Sequence, residues 1–516
     1  MARRVLAINP WPGLIVAGLV TFFSLGTLLT VALRADSFGA LDHFDWASVR
    51  FTVVQAFWSA VLSVGLAIPV ARALARRSFW GRGALITLLG APFILPVIVA
   101  ILGLTAVFGR SGIVAYLLNL AGLEPISIYG FHGVLLAHVF FNLPLATRLL
   151  LHGWVSIPAE QFRLAGALNF TSQDTFHHIE WPMLRTLAPG ILAIIFLICT
   201  TSFAVALTFG GGPKATTVEL AIYQAFKFDF DIGKAALLAG IQFVICAIAA
   251  IASLWLHVPQ AVMSGQDRIV QRFDTGRFRL KVLDAVWIVM ASLFLIVPLL
   301  AIVMQGASSV MSLPEAVWTA ALRSVLTAVT SAGLSLVFAL ALALAAIRWQ
   351  WLEGVGMLSV AASPLVMGTG LFILVFPYVD PASIALAVTA LVNAVMSLPF
   401  VLRSIGPAVR SSEQQFGLLS DSLGLVGWAR LRLVILPRIR APMGFSAGLA
   451  AALSMGDLGV VTLFARPDGA TLPLQIYRLM GAYRMDQAMG AALLLLLLSL
   501  VLFYLFDRGG RAHAVS

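Results

Sequence analysis

Twelve apolar runs, each long enough to cross a bilayer as a helix, leave this chain few ways to fold. About 20 apolar residues span a hydrocarbon core of roughly 30 Å. The runs cover about 12–33, 51–75, 84–108, 128–151, 187–209 and 235–257 in the first half. In the second half they cover about 283–305, 319–347, 355–378, 382–403, 441–464 and 488–506. Only 11% of the 516 residues are charged and 60% are hydrophobic, whereas soluble domains carry about 25% charged residues. Ten-residue alternating strands, the mark of a membrane barrel, are missing. The expected fold is an all-α integral membrane protein with about 12 transmembrane helices.

Basic residues collect on the cytoplasmic side of a membrane protein. With the N-terminus inside, 23 of the 33 Lys and Arg fall in inner segments and 10 in outer ones, against 10 and 12 of the acidic residues. Both termini are therefore expected in the cytoplasm. The net charge of +11 reflects topology and anionic lipid rather than nucleic acid. The opening stretch MARRVLAINPWPGLIVAGLVTFF exceeds a signal peptide's usual apolar length of about 7–15 residues, so it is expected to stay as the first span. Cys199 and Cys246 both fall inside runs and read as small apolar packers.

The halves repeat. NLPLATR (142–148) overlays SLPFVLR (397–403) at a shift of 255, and Pro182 meets Pro437 at the same shift. ELAIYQA (219–225) overlays PLQIYRL (473–479) at 254, and SAVLS (59–63) overlays SAGLS (331–335) at 272. With six runs per half, the repeats cross the membrane in the same direction, which places two bundles about an axis along the membrane normal. The expected organisation is a first half at 1–257, a polar basic linker at 258–281 and a second half at 282–516.

Two long polar loops face the inner side, EQFRLAGALNFTSQDTFHHIEWPMLRTLAPG (160–190) and EQQFGLLSDSLGLVGWARLRLVILPRIRAP (413–442). Each reads as helix, turn, helix and then proline, with the same thirteen-residue step from Asn169 to Pro182 and from Gly424 to Pro437. These loops resemble the signature loop of importer-type ABC permeases, the MetI-like family. The resemblance implies that Ala165, Gly166, Leu168, Asn169 and Pro182, with Ser420, Asp421, Leu423, Gly424 and Pro437, dock two copies of an ATP-hydrolysing subunit. Asn169 replaces the family's glycine, and asparagine is the next residue to tolerate a left-handed backbone. Ser420 and Asp421 replace two alanines.

LLAHVFFNLPLATRLLL (135–151), FGGGPKATTVELAIYQA (209–225) and SMGDLGVVTLF (454–464) are similar to the membrane subunits of bacterial thiamine importers, over nearly the whole chain. That likeness implies thiamine and its phosphates as cargo, a periplasmic binding protein as partner and the inner membrane as location. Ferric-iron importers share the fused layout, a polyamine is a further alternative cargo, and an ion-driven secondary transporter also fits twelve helices.

No catalytic or metal-ligating arrangement stands out, so the chain reads as a permease and not an enzyme. A Walker A loop needs Gly-Lys-Ser/Thr after an earlier glycine, and neither FGGGPKATT (209–217) nor DIGKAA (231–236) supplies it. ATP and Mg are expected on the partner, with no cofactor in this chain. Gly210, Gly211, Gly212, Lys214, Asp229 and Asp231 are read as the outer gate or binding-protein contact. The other outer acids, Glu219 among them, read as solvated loop residues. Ionisable and polar groups within spans mark pathways or interhelical bonds, which singles out His138, Asn142, Asn393 and Asp457. Pro96 and Pro364 are expected to kink the spans that contain them.

Overall fold

The computed structural model describes residues 9–33, 41–90, 94–125, 127–210, 212, 215–256, 276, 278–360, 362–466 and 469–511. Gly211, Lys214 and most of the 258–281 linker lie outside them. Among the described residues there is no strand. Eleven helices among the described residues are long and apolar enough to cross a membrane. A further candidate is the pair Trp351–Val360 and Pro364–Val375, bent by 90°. The all-α, multi-span expectation holds.

Local sequence explains several helix ends. Asp42 accepts from the Asp45 N–H at 2.8 Å while Asp45 accepts from the Asp42 N–H at 2.9 Å. This capping box satisfies two otherwise orphaned donors and starts the long helix His43–Arg76. The Asp45 N–H, helped by the Lys234 ammonium, holds the Asp42 carboxyl below its ordinary range. Lys234 also pairs with Asp45 at 2.9 Å, which ties the sixth span, Ile232–Ala252, to the second.

Helix packing uses small residues, as expected where lipid offers no hydrophobic contrast. Ser59, Ala60, Ser63, Ala67 and Ala71 are buried on His43–Arg76. Ser331, Ala332, Ser335, Ala339 and Ala343, each at the 272 shift, are buried on Glu315–Ala346. These stripes let His43–Arg76 approach Phe131–Ser156, and Glu315–Ala346 approach Ala385–Ser422.

The first helix of each half packs on the other half. Trp11–Thr21 lies on Glu315–Ala346, so closely that a methyl on Gly13 would fall 2.3 Å from Ala345 Cβ. Phe278–Ala307 lies on Val97–Phe108, where a methyl on Gly103 would meet the Pro298 carbonyl at 2.7 Å. The two halves are thus clasped by exchanged helices.

Four apolar runs are broken where one helix was expected; those at 187–209 and 441–464 are interrupted at Thr201–Ser202 and Gly456–Leu458. The run at 84–108 becomes Arg82–Leu88 and then Val97–Phe108, and the run at 355–378 breaks before Pro364. Pro96 and Pro364 do not kink a helix interior. Pro96 is the N-cap of one helix and Pro364 the first residue of the other. Proline disfavours helix in the residue before it and suits a first turn, where its missing N–H costs nothing. The run at 382–403 is instead longer than expected, continuing as one helix to Ser422.

Candidate coupling loops and the seam between the halves

The two long polar loops share the same bend and the same lead into the following helix. The first helix is Ala159–Ala167 in one copy and the end of Ala385–Ser422 in the other. Each ends in a left-handed residue, Asn169 with φ 57° and Gly424 with φ 65°. Asn169 N–H bonds to the Gly166 carbonyl at 3.1 Å and Phe170 N–H to Ala165 at 3.0 Å. In the second copy Gly424 bonds to Asp421 at 3.1 Å and Leu425 to Ser420 at 2.9 Å. Both are Schellman ends, which satisfy the last carbonyls of a helix.

The symmetry continues into the membrane. A five-residue π-turn, Phe176–Glu180 or Leu431–Ile435, leads into Trp181–Thr200 or Leu436–Met455. Pro182 and Pro437 stand at the second position of those helices. A proline ring clashes with the carbonyl four residues before it, and widening the preceding turn relieves that clash. The constant glycine-or-asparagine to proline spacing therefore sets a bend, a wide turn and a helix start in fixed register.

Leu168 and Leu423 project from the bends, 59% and 64% exposed. Leu164 and Leu419, one turn earlier and again related by 255, are exposed as well. Sequence reasoning missed this second pair, although the four-residue step placed it on the same helical face. Ala165 and Ser420 are buried beneath the knobs, and the Ser420 hydroxyl donates to the Phe416 carbonyl at 2.8 Å.

Asp421 has a use that alanine lacks. Its carboxylate takes a 2.5 Å hydrogen bond from Arg430, whose side chain is 1% exposed and also pairs with Glu413. Arg438 stacks over Phe416, 3.7 Å from its centroid. The first loop is braced differently. Buried Glu180 accepts from Arg72 Nε at 2.6 Å and from Trp154 Nε1 at 3.2 Å.

On the opposite end, each half carries a short helix after a break, Val218–Lys227 and Leu472–Gly481. Val218 N–H donates to Thr52 Oγ1, and Leu472 N–H to Ser324 Oγ, both at 2.8 Å. Both helices are followed by a left-handed residue, Phe230 or Tyr483. Gly210 is required by close approach, because a methyl there would fall 2.2 Å from the Ala206 carbonyl. Gly212 has φ 106°. Asp229 and Asp231 are exposed, and Asp231 caps the sixth span by accepting from Lys234 N–H at 2.8 Å.

The polar residues within the spans join helices. His138 Nδ1 and Ser59 Oγ share a 3.1 Å hydrogen bond. Asn142 donates to the His138 carbonyl at 2.8 Å and to Cys199 Sγ at 3.3 Å. Asn393 donates to Ser454 Oγ at 3.1 Å. His138 and Asn142 are buried between the second, fourth and fifth spans of the first half. Cys199 and Cys246 are buried, as expected of apolar packers.

Asp457 lies in the break between Leu436–Met455 and Gly459–Phe464, accepting from the Gly459 N–H at 3.1 Å. Its other oxygen is buried without a hydrogen-bond donor. A methyl on Gly459 would lie 3.7 Å from Asp457 Oδ1, 3.8 Å from Phe203 and 3.9 Å from Leu365. Asp457 is therefore at the seam where elements of both halves meet. Among the described residues no group of three His, Cys, Asp or Glu could hold a metal ion.

Glu219 is not a solvated loop residue. It is 1% exposed on the first turn of Val218–Lys227. It accepts from Ser363 Oγ at 2.9 Å and from Gln242 Nε2 at 3.4 Å.

Long apolar helices, paired turns at one end and a polar seam between the repeats make this a multi-span membrane protein. No family model matches the chain, but whole-length relatives do. It is 40% identical to the thiamine transport system permease protein ThiP of Salmonella typhimurium, over 99% of each chain. It is 39% identical to ThiP of Escherichia coli over 98% of each, and 35% identical to that of Haemophilus influenzae over 95% and 94%. A probable sulfate transport permease of Helicosporidium is 24% identical over 37% of this chain. The chain belongs to the thiamine transport system permease family.

Proposed function

We propose that this chain is the membrane permease of an ATP-driven, binding-protein-dependent ABC importer that carries thiamine, and its phosphates, across the bacterial inner membrane. The duplicated inner turn carries the importer reading. Two left-handed corners with paired leucine knobs, in the same register, are what two identical ATPase subunits would need from a pseudo-symmetric partner. The relatives' names support thiamine as cargo.

In this reading two ATPase copies, holding ATP and Mg, grip the knobs in the cytoplasm, where both termini also lie. A loaded periplasmic binding protein docks above the short outer helices, near Gly210, Gly212, Asp229 and Asp231. Closing the ATPases rocks the clasped halves and alternates access to the seam. Uptake of labelled thiamine at low concentration, in cells unable to make it, should require this chain. Equal uptake with the chain deleted refutes the cargo.

Asp457 is the pathway carboxylate in this scheme, and His138, Asn142 and Asn393 hold the helices around it. Asp457→Asn keeps the bond to Gly459 N–H but removes the charge. It should raise the half-saturating thiamine concentration by about tenfold, the size of one modest charge contact. Unchanged uptake and affinity would make Asp457 a helix cap only.

A further inference from the structure

Glu219 breaks the repeat in a telling place. Its counterpart at the 254 shift is Pro473, so a charge-bearing residue occupies one short outer helix and an apolar ring the other. Both helices are built and anchored alike, by Thr52 and Ser324. Forming the helix therefore does not require the carboxylate.

Its surroundings do not require it either. Taking a carboxylate out of water costs several kcal/mol unless a cation and hydrogen bonds compensate. Glu219 receives two neutral donors and, among the described residues, no cationic partner. One donor, Ser363, belongs to the other half and caps Pro364–Val375. Further along the same seam, Phe226 meets Phe372 edge to face at 5.3 Å between ring centroids. The contact between Val218–Lys227 and Pro364–Val375 must part for cargo to enter between the halves from outside.

We propose that Glu219 is a specificity-determining carboxylate of the outer gate, held by Ser363 when the gate is closed and freed to meet a cationic heteroaromatic cargo when it opens. The proposal rests on the thiamine reading above, since the thiazolium ring supplies the cation. Ser363 lends only a neutral hydrogen bond in the closed state. Glu219 supplies the charge that favours the cargo in the open one, ahead of Asp457 in the path.

The test uses the complete complex, with binding protein and ATPase, in proteoliposomes. Labelled thiamine uptake and binding-protein-stimulated ATP hydrolysis are measured for the intact chain, Glu219→Gln, Glu219→Asp and Ser363→Ala. Glu219→Gln should lower thiamine moved per ATP by about thirtyfold, the loss of one buried charge contact, with stimulated hydrolysis nearly unchanged. Glu219→Asp should restore most of that ratio, and Ser363→Ala, which removes only the closed-state bond, should lower it less than Glu219→Gln does. Full transport per ATP by Glu219→Gln overturns the proposal. So does a parallel loss of hydrolysis and transport in both Glu219 variants, which would mark a packing role. An intact complex that hydrolyses ATP but moves no thiamine would instead defeat the cargo reading itself.

Discussion

Leu423→Asp should leave the chain folded and inserted but cut transport by about thirtyfold or more, the cost of losing one interface hot spot. Leu423 is 64% exposed at the tip of the second inner turn, so the folded permease alone loses little by the change. Its neighbour Gly424 has φ 65°, a conformation that fixes where the knob points. An aspartate there would place an unpaired charge in whatever groove receives the leucine. Copurification of the ATPase and stimulated hydrolysis should fall together with uptake. Leu168→Asp should do the same through the first loop. Wild-type coupling in both variants would mean that the turns do not touch the ATPase.

Arg430→Ala should be the most destabilising single change in that loop. The guanidinium is buried and reaches Glu413 and Asp421 together. Removing it leaves the Glu413 carboxylate, largely sheltered, without its cation. Breaking a buried pair from one side costs about 3–5 kcal/mol. Asp421, 61% exposed, recovers water and adds little, which favours the lower end. Limited proteolysis should show faster cleavage within 413–442 than in the intact chain. Arg430→Lys should recover part of the protection, since one ammonium cannot serve both acids in fork geometry. Equal cleavage of Arg430→Ala and the intact chain would rule out the brace.

The inner turns were legible because their determinants are local. A left-handed corner and a proline stand thirteen residues apart, and the duplicate supplied a second reading of each; the wide turn before each proline was not legible. Asn169 could be recognised as a stand-in for glycine on backbone grounds alone, and its φ of 57° agrees. The function of Asp421 was not legible, because its partner Arg430 is defined by the fold of the turn. Glu219 was misread for a related reason. Its loop-like neighbours suggested solvent, while the residue that buries it, Ser363, lies 144 positions away in the other half. The breaks before Val97 and Pro364 were hidden by hydropathy, which counts apolar residues and does not register where the backbone turns. The exchanged first helices were hidden too, since an apolar stripe does not name the stripe it will pack on.

Reconstitution with defined energy sources tests the central claim most directly. The purified chain, with its ATPase and binding protein, is placed in liposomes with labelled thiamine on the binding-protein side. Accumulation should require ATP on the ATPase side and loaded binding protein, and should stop when either is withheld. Accumulation driven by a proton or sodium gradient in liposomes holding the chain alone would make it a secondary transporter. The paired inner turns would then have no ATPase to meet.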